Sequence, residues 1–395
     1  VQKVLAINAG SSSLKFCLYA MPQATVLLSG CFERIGEAQP KLRYKDQCLA
    51  VKATNHIAAL NQLFQLLLTE KLVTQLTEIV AVGHRVAHGG ETFYQATVVD
   101  QQVYQAIAAL NELAPLHNPL NLMGIHHCQQ QLPQALQVAV FDTAFHQTLA
   151  PAQYLYPVPY QYYQDYHIRK YGFHGTSHQY VGQLAAQQLG QSFEQSQLIT
   201  CHLGNGASVC CIENGRSKDI SMGFTPAAGL MMGTRAGDLD PTILPFLQRK
   251  LGLSCEDLNT MLTQQSGLLG VSGCSNDFRD VLAAATKGQP LAQVAVEMFV
   301  QRIVNFILAY RSELDRLDGL VFTAGIGEHS AWLRQQVCQR LGCLNIQLDP
   351  TKNNSDLLAI SAATSQVPVF VIPTNEEYVL AQAAYQLFTK AEVSL

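Results

Sequence analysis

The sequence is poor in charge. Only 14% of its 395 residues are Asp, Glu, Lys or Arg, and the formal net charge is −4 at pH 7. No global basic field exists to attract nucleic acid or an anionic membrane. An anionic substrate must therefore be held by a few locally placed cations. No stretch reaches the ~18 apolar residues of a membrane span, and the apolar start, Val1 to Ile7, is too short for a signal-peptide core. The eleven cysteines include no C-x-x-C pair, and the adjacent Cys210-Cys211 fits no common zinc spacing. That usage suits reduced thiols and a cytoplasmic protein. Also missing are H-E-x-x-H, the Walker A spacing and the G-x-G-x-x-G fingerprint, so a nucleotide site here must be of another kind.

What is present is a chain that is 48% hydrophobic and long enough for two domains, each with its own core. Val4 to Ile7 is a short apolar run ended by Asn8-Ala9-Gly10-Ser11-Ser12-Ser13 and followed by Leu14 to Tyr19, which predicts strand, polar turn, strand. The same scheme returns about 195 positions later. There Leu198 to Cys201 leads into His202-Leu203-Gly204-Asn205-Gly206-Ala207-Ser208 and then Val209 to Ile212, so two halves built alike are expected. Further strands end at Asp142, at Ala324-Gly325-Ile326-Gly327-Glu328 and at Pro373-Thr374-Asn375-Glu376-Glu377. Between them, Leu291, Val294, Met298, Arg302, Phe306 and Tyr310 repeat at helical spacing, broadened by Ala295, Phe299, Ile303 and Ile307. Alternating strands and helices predict an α/β fold with ligands beyond the carboxyl ends of strands.

The distinctive residues gather at those ends. Three small-residue loops, Gly10 to Ser13, Gly204 to Gly206 and Gly325 to Gly327, let backbone N–H groups approach anionic oxygens. Lys15 adds a point charge there, and Ser12 or Asn8 would hold a phosphate or a metal-bound water. Each loop alone is equally readable as a hairpin turn. Arginine suits a carboxylate or a transferring phosphoryl group because its fork donates two parallel hydrogen bonds. Arg85, in G-H-R-V-A-H-G-G, and Arg235, in G-T-R-A-G-D, are the candidates. The alternatives are structural salt bridges to Glu91 and Asp238. His174 lies between glycines before a helical stretch, His117 in a proline-bounded loop, and His202 at the start of the second glycine loop. His126, His127 and His167 read as ordinary surface or packing residues. Asp142 and Glu376 are the carboxylates best placed for Mg²⁺, although Asp142 also suits a helix cap.

Taken in order, these blocks resemble the acetate kinase family, within the acetate and sugar kinase, Hsp70 and actin superfamily. The matching stretches are Ile7–Lys15, Gly83–Gly90, Phe141–Gln147, Tyr171–His178, His202–Ser208, Met232–Pro241, Ser266–Asp280, Thr323–Glu328 and Pro373–Glu377. The resemblance implies two similar actin-like, ribonuclease H-like domains in tandem, with the active site in the cleft between them. The first would take residues 1–148 and 378–395, the second 149–377 and most of the nucleotide. It implies Mg²⁺, with Mn²⁺ as a substitute, on Asn8 and Glu376, and ATP or ADP as co-substrate. Lys15 would lie near the phosphates. His202, Leu203, Gly204, Asn205 and Gly206, then Asp277, Phe278 and Arg279, then Gly325, Ile326, Gly327, Glu328 and His329 would surround the nucleotide. Asp142 would be the active-site carboxylate organising the metal and its waters. Arg85 would bind the substrate carboxylate, and His174 with Arg235 would stabilise the transferring phosphoryl group. On the family's pattern Ala87, Leu116, His117, Phe173 and Pro226 lie on the substrate side. A homodimer is expected, with no nucleic-acid or membrane partner.

The implied activity is reversible, ATP-dependent phosphorylation of acetate to acetyl phosphate. Three departures from the family pattern stand out: His329 replaces the usual asparagine, Thr225 to Gly229 lacks the usual leucine–glutamate pair, and Ala87 stands where valine faces the substrate methyl. The last leaves room for propionate, so a propionate kinase is the nearest alternative. A nucleotide-switched protein of the Hsp70 or actin type is a remote one, because it would need neither Arg85 nor the His174–Arg235 pair.

Overall fold

Strand β1 (Gln2–Ala9) turns at Gly10 into β2 (Ser13–Met21), and the two pair antiparallel along their whole length. The computed structural model describes residues 1–115, 117–355 and 357–393. It continues with β3 (Thr25–Glu33), β4 (Lys41–Tyr44), β5 (Gln47–Ala50), β6 (Ile79–Val86), β7 (Thr97–Val98) and β8 (Leu136–Phe141). These form one sheet in the order β5-β4-β3-β2-β1-β6-β8-β7. The central strand β1 is buried from Val4 to Ala9 because helices cover both faces. One layer packs Leu60, Leu63 and Leu67 of the helix His56–Thr69 against Leu5, Phe16 and Phe32. The other is the C-terminal helix Glu376–Val393, whose Leu380, Ala381 and Ala384 meet Val4, Ala6 and Val138. Gly83 permits this approach: a Cβ there would sit 2.2 Å from the Leu380 carbonyl oxygen.

The second sheet comprises β9 (Gln197–Leu203), β10 (Ala207–Glu213), β11 (Arg216–Ile220), β12 (Gly319–Thr323) and β13 (Val369–Val371), in the order β11-β10-β9-β12-β13. It repeats the pattern of β3-β2-β1-β6-β8, three antiparallel strands followed by two parallel ones. The strand–turn–strand repeat seen in the sequence is thus the start of the same topology in each unit. The units are Val1–Phe145 with Asn375–Leu395, and His146–Thr374.

Three local readings need correction. The long helix Pro290–Ser312 buries Ala292, Ala295, Val296, Phe299, Val300, Ile303, Val304, Ile307 and Tyr310, while Leu291 and Val294 face solvent. The core stripe is therefore the one expected only to broaden it. This helix is long and apolar enough by composition to cross a membrane, although Gln293, Glu297, Gln301, Arg302 and Asn305 interrupt its apolar run. Here its apolar face packs on its own unit, with the Phe278 and Phe299 rings 5.4 Å apart. Gly325 to Gly327 is not a loop but part of a short helix, Ala324–His329. Glu328 Oε1 accepts the Ala324 N–H at 2.8 Å and ties down its start. Finally, His202 and Leu203 belong to β9, since Leu203 pairs with Ala207, and the glycine turn shrinks to Gly204-Asn205-Gly206.

Candidate active site

In the first unit, parallel strands β1, β6 and β8 bring Asn8, Arg85 and Asp142 to one edge of the sheet. Arg85 Nε donates to both Asp142 oxygens at 3.0 and 3.1 Å, and Nη2 donates to Oδ2 at 2.6 Å. Its Nη1 reaches Asn8 Oδ1 at 3.4 Å. Asn8 Nδ2 donates to Glu376 at 2.9 Å and to Glu377 at 3.3 Å, at the start of the C-terminal helix. Burial alone would lower the Arg85 pKa, but Asp142, Glu376 and Glu377 outweigh it, so the guanidinium stays charged. Burial pushes the Asp142 carboxyl above its ordinary value, Arg85 pulls it back down, and Glu376 adds to the rise.

This geometry corrects two expectations. Asp142 does not cap a helix; its oxygens serve Arg85. The anticipated Glu91 bridge is replaced by this pair. Because Asp142 takes the Nε–Nη2 edge, the Nη1–Nη2 edge is the one a second carboxylate could grip bidentately. Three carboxylates gather around one guanidinium, an excess of negative charge that a divalent cation would relieve. Among the described residues no group of three His, Cys, Asp or Glu forms a closed cage. Asn8 and Glu376 thus fit the oxygen-rich, sparsely liganded site Mg²⁺ accepts. Lys15 faces Asn8 across β1 and β2 and is exposed, while Ser12 uses its carbonyl to receive the Ile35 N–H at 2.9 Å.

Ala87 is buried just beyond β6, its N–H donating to Asn121 Oδ1 at 3.1 Å. Asn118 brackets His88, accepting its N–H and donating to its carbonyl, both at 3.1 Å. These buried amides open the helix Asn118–Gln131, which His117 precedes as N-cap. They fix the backbone beside Ala87, and no motif in the sequence singled them out. Leu116 lies outside the described residues. Of the histidines read as ordinary, His127 is buried and bonded to Asn61 at 2.7 Å, and His126 pairs with exposed Gln130.

In the second unit, His174 adopts a left-handed backbone (φ 57°) between Gly172 and Gly175, at the N-cap of the helix Gly175–Gln188. Such strain, about 1–3 kcal/mol, persists where surroundings over-determine it, often at functional sites. The preceding carbonyl, that of Phe173, is bound by the buried His146 Nε2 at 2.9 Å. The His174 ring stacks on His202 with centroids 4.0 Å apart, and its Nδ1 lies 2.9 Å from Ser208 Oγ. Arg235 arrives from the loop that follows Met232. Gly233 N–H donates to Asn205 O at 3.0 Å, so this loop rides on the β9–β10 turn. Arg235 Nη1 donates to Pro226 O at 3.2 Å, whereas Asp238, its alternative partner, accepts the Gly229 N–H at 2.8 Å. A Cβ on Gly206 would lie 3.4 Å from Arg235 Nη1 and 3.6 Å from His174 Nε2. The turn therefore holds a space that the guanidinium and the imidazole share.

Beside it is a cavity of about 1060 Å³ lined by Gly204, Asn205, Asp277, Phe278, Arg279, Gly325, Ile326 and His329. Asp277 caps the helix Phe278–Thr286 and holds exposed Arg279 by a 2.6 Å ion pair. Leu282, Ala283, Thr286, Lys287 and Trp332 also line it and were not anticipated. Trp332, the chain's single tryptophan, stands 41% exposed, with its ring 6.4 Å from Phe278. This mix of apolar wall, aromatic and small-residue turns suits a nucleotide. His202, Leu203, Gly206, Gly327 and Glu328 do not line it; Glu328 instead receives the N–H groups of Ala324 and Thr374.

The sequence profile of the acetokinase family matches residues 3–382. A relative named acetate kinase 2, from Listeria monocytogenes, is 48% identical over 386 residues, covering 97% of both chains. One named propionate kinase, from Citrobacter rodentium, is 48% identical over 384 residues, covering 96% of this chain and 95% of its own. The crystal structure of a propionate kinase from Francisella tularensis superposes with a TM-score of 0.92 at 40% identity, covering 98% of this chain and all of its own.

Proposed function

The chain belongs to the acetokinase family, and from that premise we propose that it transfers the γ-phosphoryl group of ATP to the carboxylate of acetate, reversibly forming acetyl phosphate and ADP. The observation that carries this reading is the approach of both Arg235 Nη1 and the His174 ring to Gly206, next to a nucleotide-sized cavity. Like-named relatives do not choose between acids, since acetate and propionate kinases share equal identity with this chain.

A carboxylic acid has a pKa near ~4–5 and is already ionised at neutral pH, so the reaction needs no general base. Its obstacle is bringing one anion to another. The Nη1–Nη2 edge of Arg85, held in place by Asp142, would grip the carboxylate. Asn8 and Glu376 would hold Mg²⁺, which neutralises phosphate oxygens when bound. Arg235 and His174 would donate to the phosphoryl oxygens as charge spreads over them in an in-line, metaphosphate-like transition state. Ala87 favours propionate as a second substrate, because a valine there would add two methyl groups to the pocket wall. We place the protein in the cytoplasm as a homodimer, for which the exposed apolar Ile243, Phe246 and Leu251 of the helix Ile243–Leu251 would offer contacts.

A hydroxamate assay for acyl phosphate, run with ATP and acetate, propionate or butyrate, tests the reading. Acyl phosphate from acetate is expected, with propionate close behind. Product from propionate alone would make this a propionate kinase, and none from any acid would remove the kinase assignment.

A further inference from the structure

His178 is fully buried between two hydroxyls, with Nδ1 2.6 Å from Thr200 Oγ1 and Nε2 2.8 Å from Ser208 Oγ. The same Ser208 Oγ lies 2.9 Å from Nδ1 of His174. Four side chains from β9, β10 and the helix Gly175–Gln188 thus form one line: Thr200, His178, Ser208, His174. Burial holds the His178 pKa well below the usual histidine range, and His146 and His202 add to this, so the ring is neutral. A neutral imidazole has one N–H and one lone pair, and a serine hydroxyl has one hydrogen. Were both imidazoles to donate to Ser208, its buried hydrogen would have no acceptor, so the line has two polarities. In one, Thr200 donates to His178, His178 to Ser208, and Ser208 to His174 Nδ1. In the other every bond is reversed.

Thr200 decides between them. Its hydroxyl is fully buried, and among the described residues His178 Nδ1 is its one hydrogen-bond partner. Reversal would bury the hydroxyl hydrogen without an acceptor, which folded proteins rarely tolerate. We propose that Ser208 and His178 are positioning residues that fix His174 as the tautomer carrying its proton on Nε2, the ring nitrogen on the side of Gly206.

The inference rests on the kinase reading for its purpose. With the proton on Nε2, a neutral His174 donates toward phosphoryl oxygens; with it on Nδ1, the ring would turn a lone pair toward an anion. The groups facing His174 include Arg235, the stacked His202 and, beyond Ser208, His178. Arg235 opposes a second positive charge beside it.

The test is the tautomer of His174 in the [¹⁵N]histidine-labelled full chain, free of substrates, read by long-range proton–nitrogen NMR at pH 7.5. Its resonances are those lost in His174→Asn. The expected form is Nε2–H in the wild type and a mixture or Nδ1–H in Ser208→Ala. That variant should lose ~10–100-fold in kcat, as when a partner orienting a reacting group is removed, with both KM values within about twofold. His178→Gln, whose amide can accept from Thr200 and donate to Ser208, should keep the wild-type tautomer and most of kcat. An Nδ1–H or imidazolium form in the wild type overturns the proposal even if Ser208→Ala does not fold. So does an unchanged tautomer or kcat in that variant. Because the tautomer is read without substrate, a wild type that makes no acyl phosphate counts against the kinase reading alone.

Discussion

Arg85 is clamped by Asp142 along one edge only, with Nη2 2.6 Å from Oδ2 and Nε in contact with both oxygens. Asp142 is 2% exposed and the arginine side chain 22%, so each charge depends on the other. Asp142→Ala is expected to cost about 3 kcal/mol of stability by leaving a largely buried guanidinium unpaired. Arg85→Lys keeps the charge but loses the fork, so the carboxylate KM should rise about tenfold or more while the ATP KM stays within about twofold. Denaturant titration and steady-state kinetics check the pair. An unchanged carboxylate KM in Arg85→Lys would take this arginine out of the substrate site.

Ala87 sits in a backbone fixed by Asn121, so a substitution there changes the side-chain wall rather than the chain path. Ala87→Val should shift the propionate-to-acetate ratio of kcat/KM toward acetate by about tenfold, the value of roughly one methylene in an apolar pocket. A ratio that does not move would detach Ala87 from acyl selection.

Gly206 leaves ordinary van der Waals room for a methyl group, 3.4 Å from Arg235 and 3.6 Å from the His174 ring. Gly206→Ala should therefore fold normally but lose about 100-fold in kcat, since the methyl fills the space proposed for the phosphoryl group. Near-wild-type turnover in a folded variant would place the reacting group elsewhere.

How far these sites were legible depended on whether their signal was local. His174 and Arg235 announced themselves because glycines flank them in sequence, and the strand–turn–strand repeat anticipated the matching starts of both sheets. Asn118, Asn121, Ser208 and His178 did not, because each acts on a residue about 30 positions away and carries no mark of its own. Asp142 was visible as a strand-end carboxylate, but its pairing with Arg85, 57 positions earlier, was not. Gly325 to Gly327 suggested a loop because glycine disfavours helices, and the Glu328 carboxylate that secures this helix was assigned to the nucleotide instead. On Pro290–Ser312 apolar residues ring so much of the helix that spacing could not show which stripe faces inward.

Buried histidines give the fold a defined pH response. Burial lowers His84, His88 and His146 to about 4 each. Unfolded histidines titrate near 6.5, so between that value and about 4 the unfolded chain binds more protons than the folded one. Stability is then fully present above the unfolded pKa and falls as pH drops through this window, by about 1 kcal/mol for each histidine at pH 5.5. Thermal melts from pH 7.5 to 5.5 should show a falling Tm. A flat profile would mean that these rings titrate in place.

The central claim is that positive charge from Arg235 acts on the transferring phosphoryl group rather than on the fold or on nucleotide binding. Steady-state kinetics of Arg235→Ala, with ATP affinity and Tm measured on the same preparation, test it most directly. The account predicts a loss of ~10³-fold or more in kcat, with ATP affinity and Tm close to those of the wild type. A kcat within about tenfold of wild type, or equal losses in turnover, affinity and stability, would contradict it.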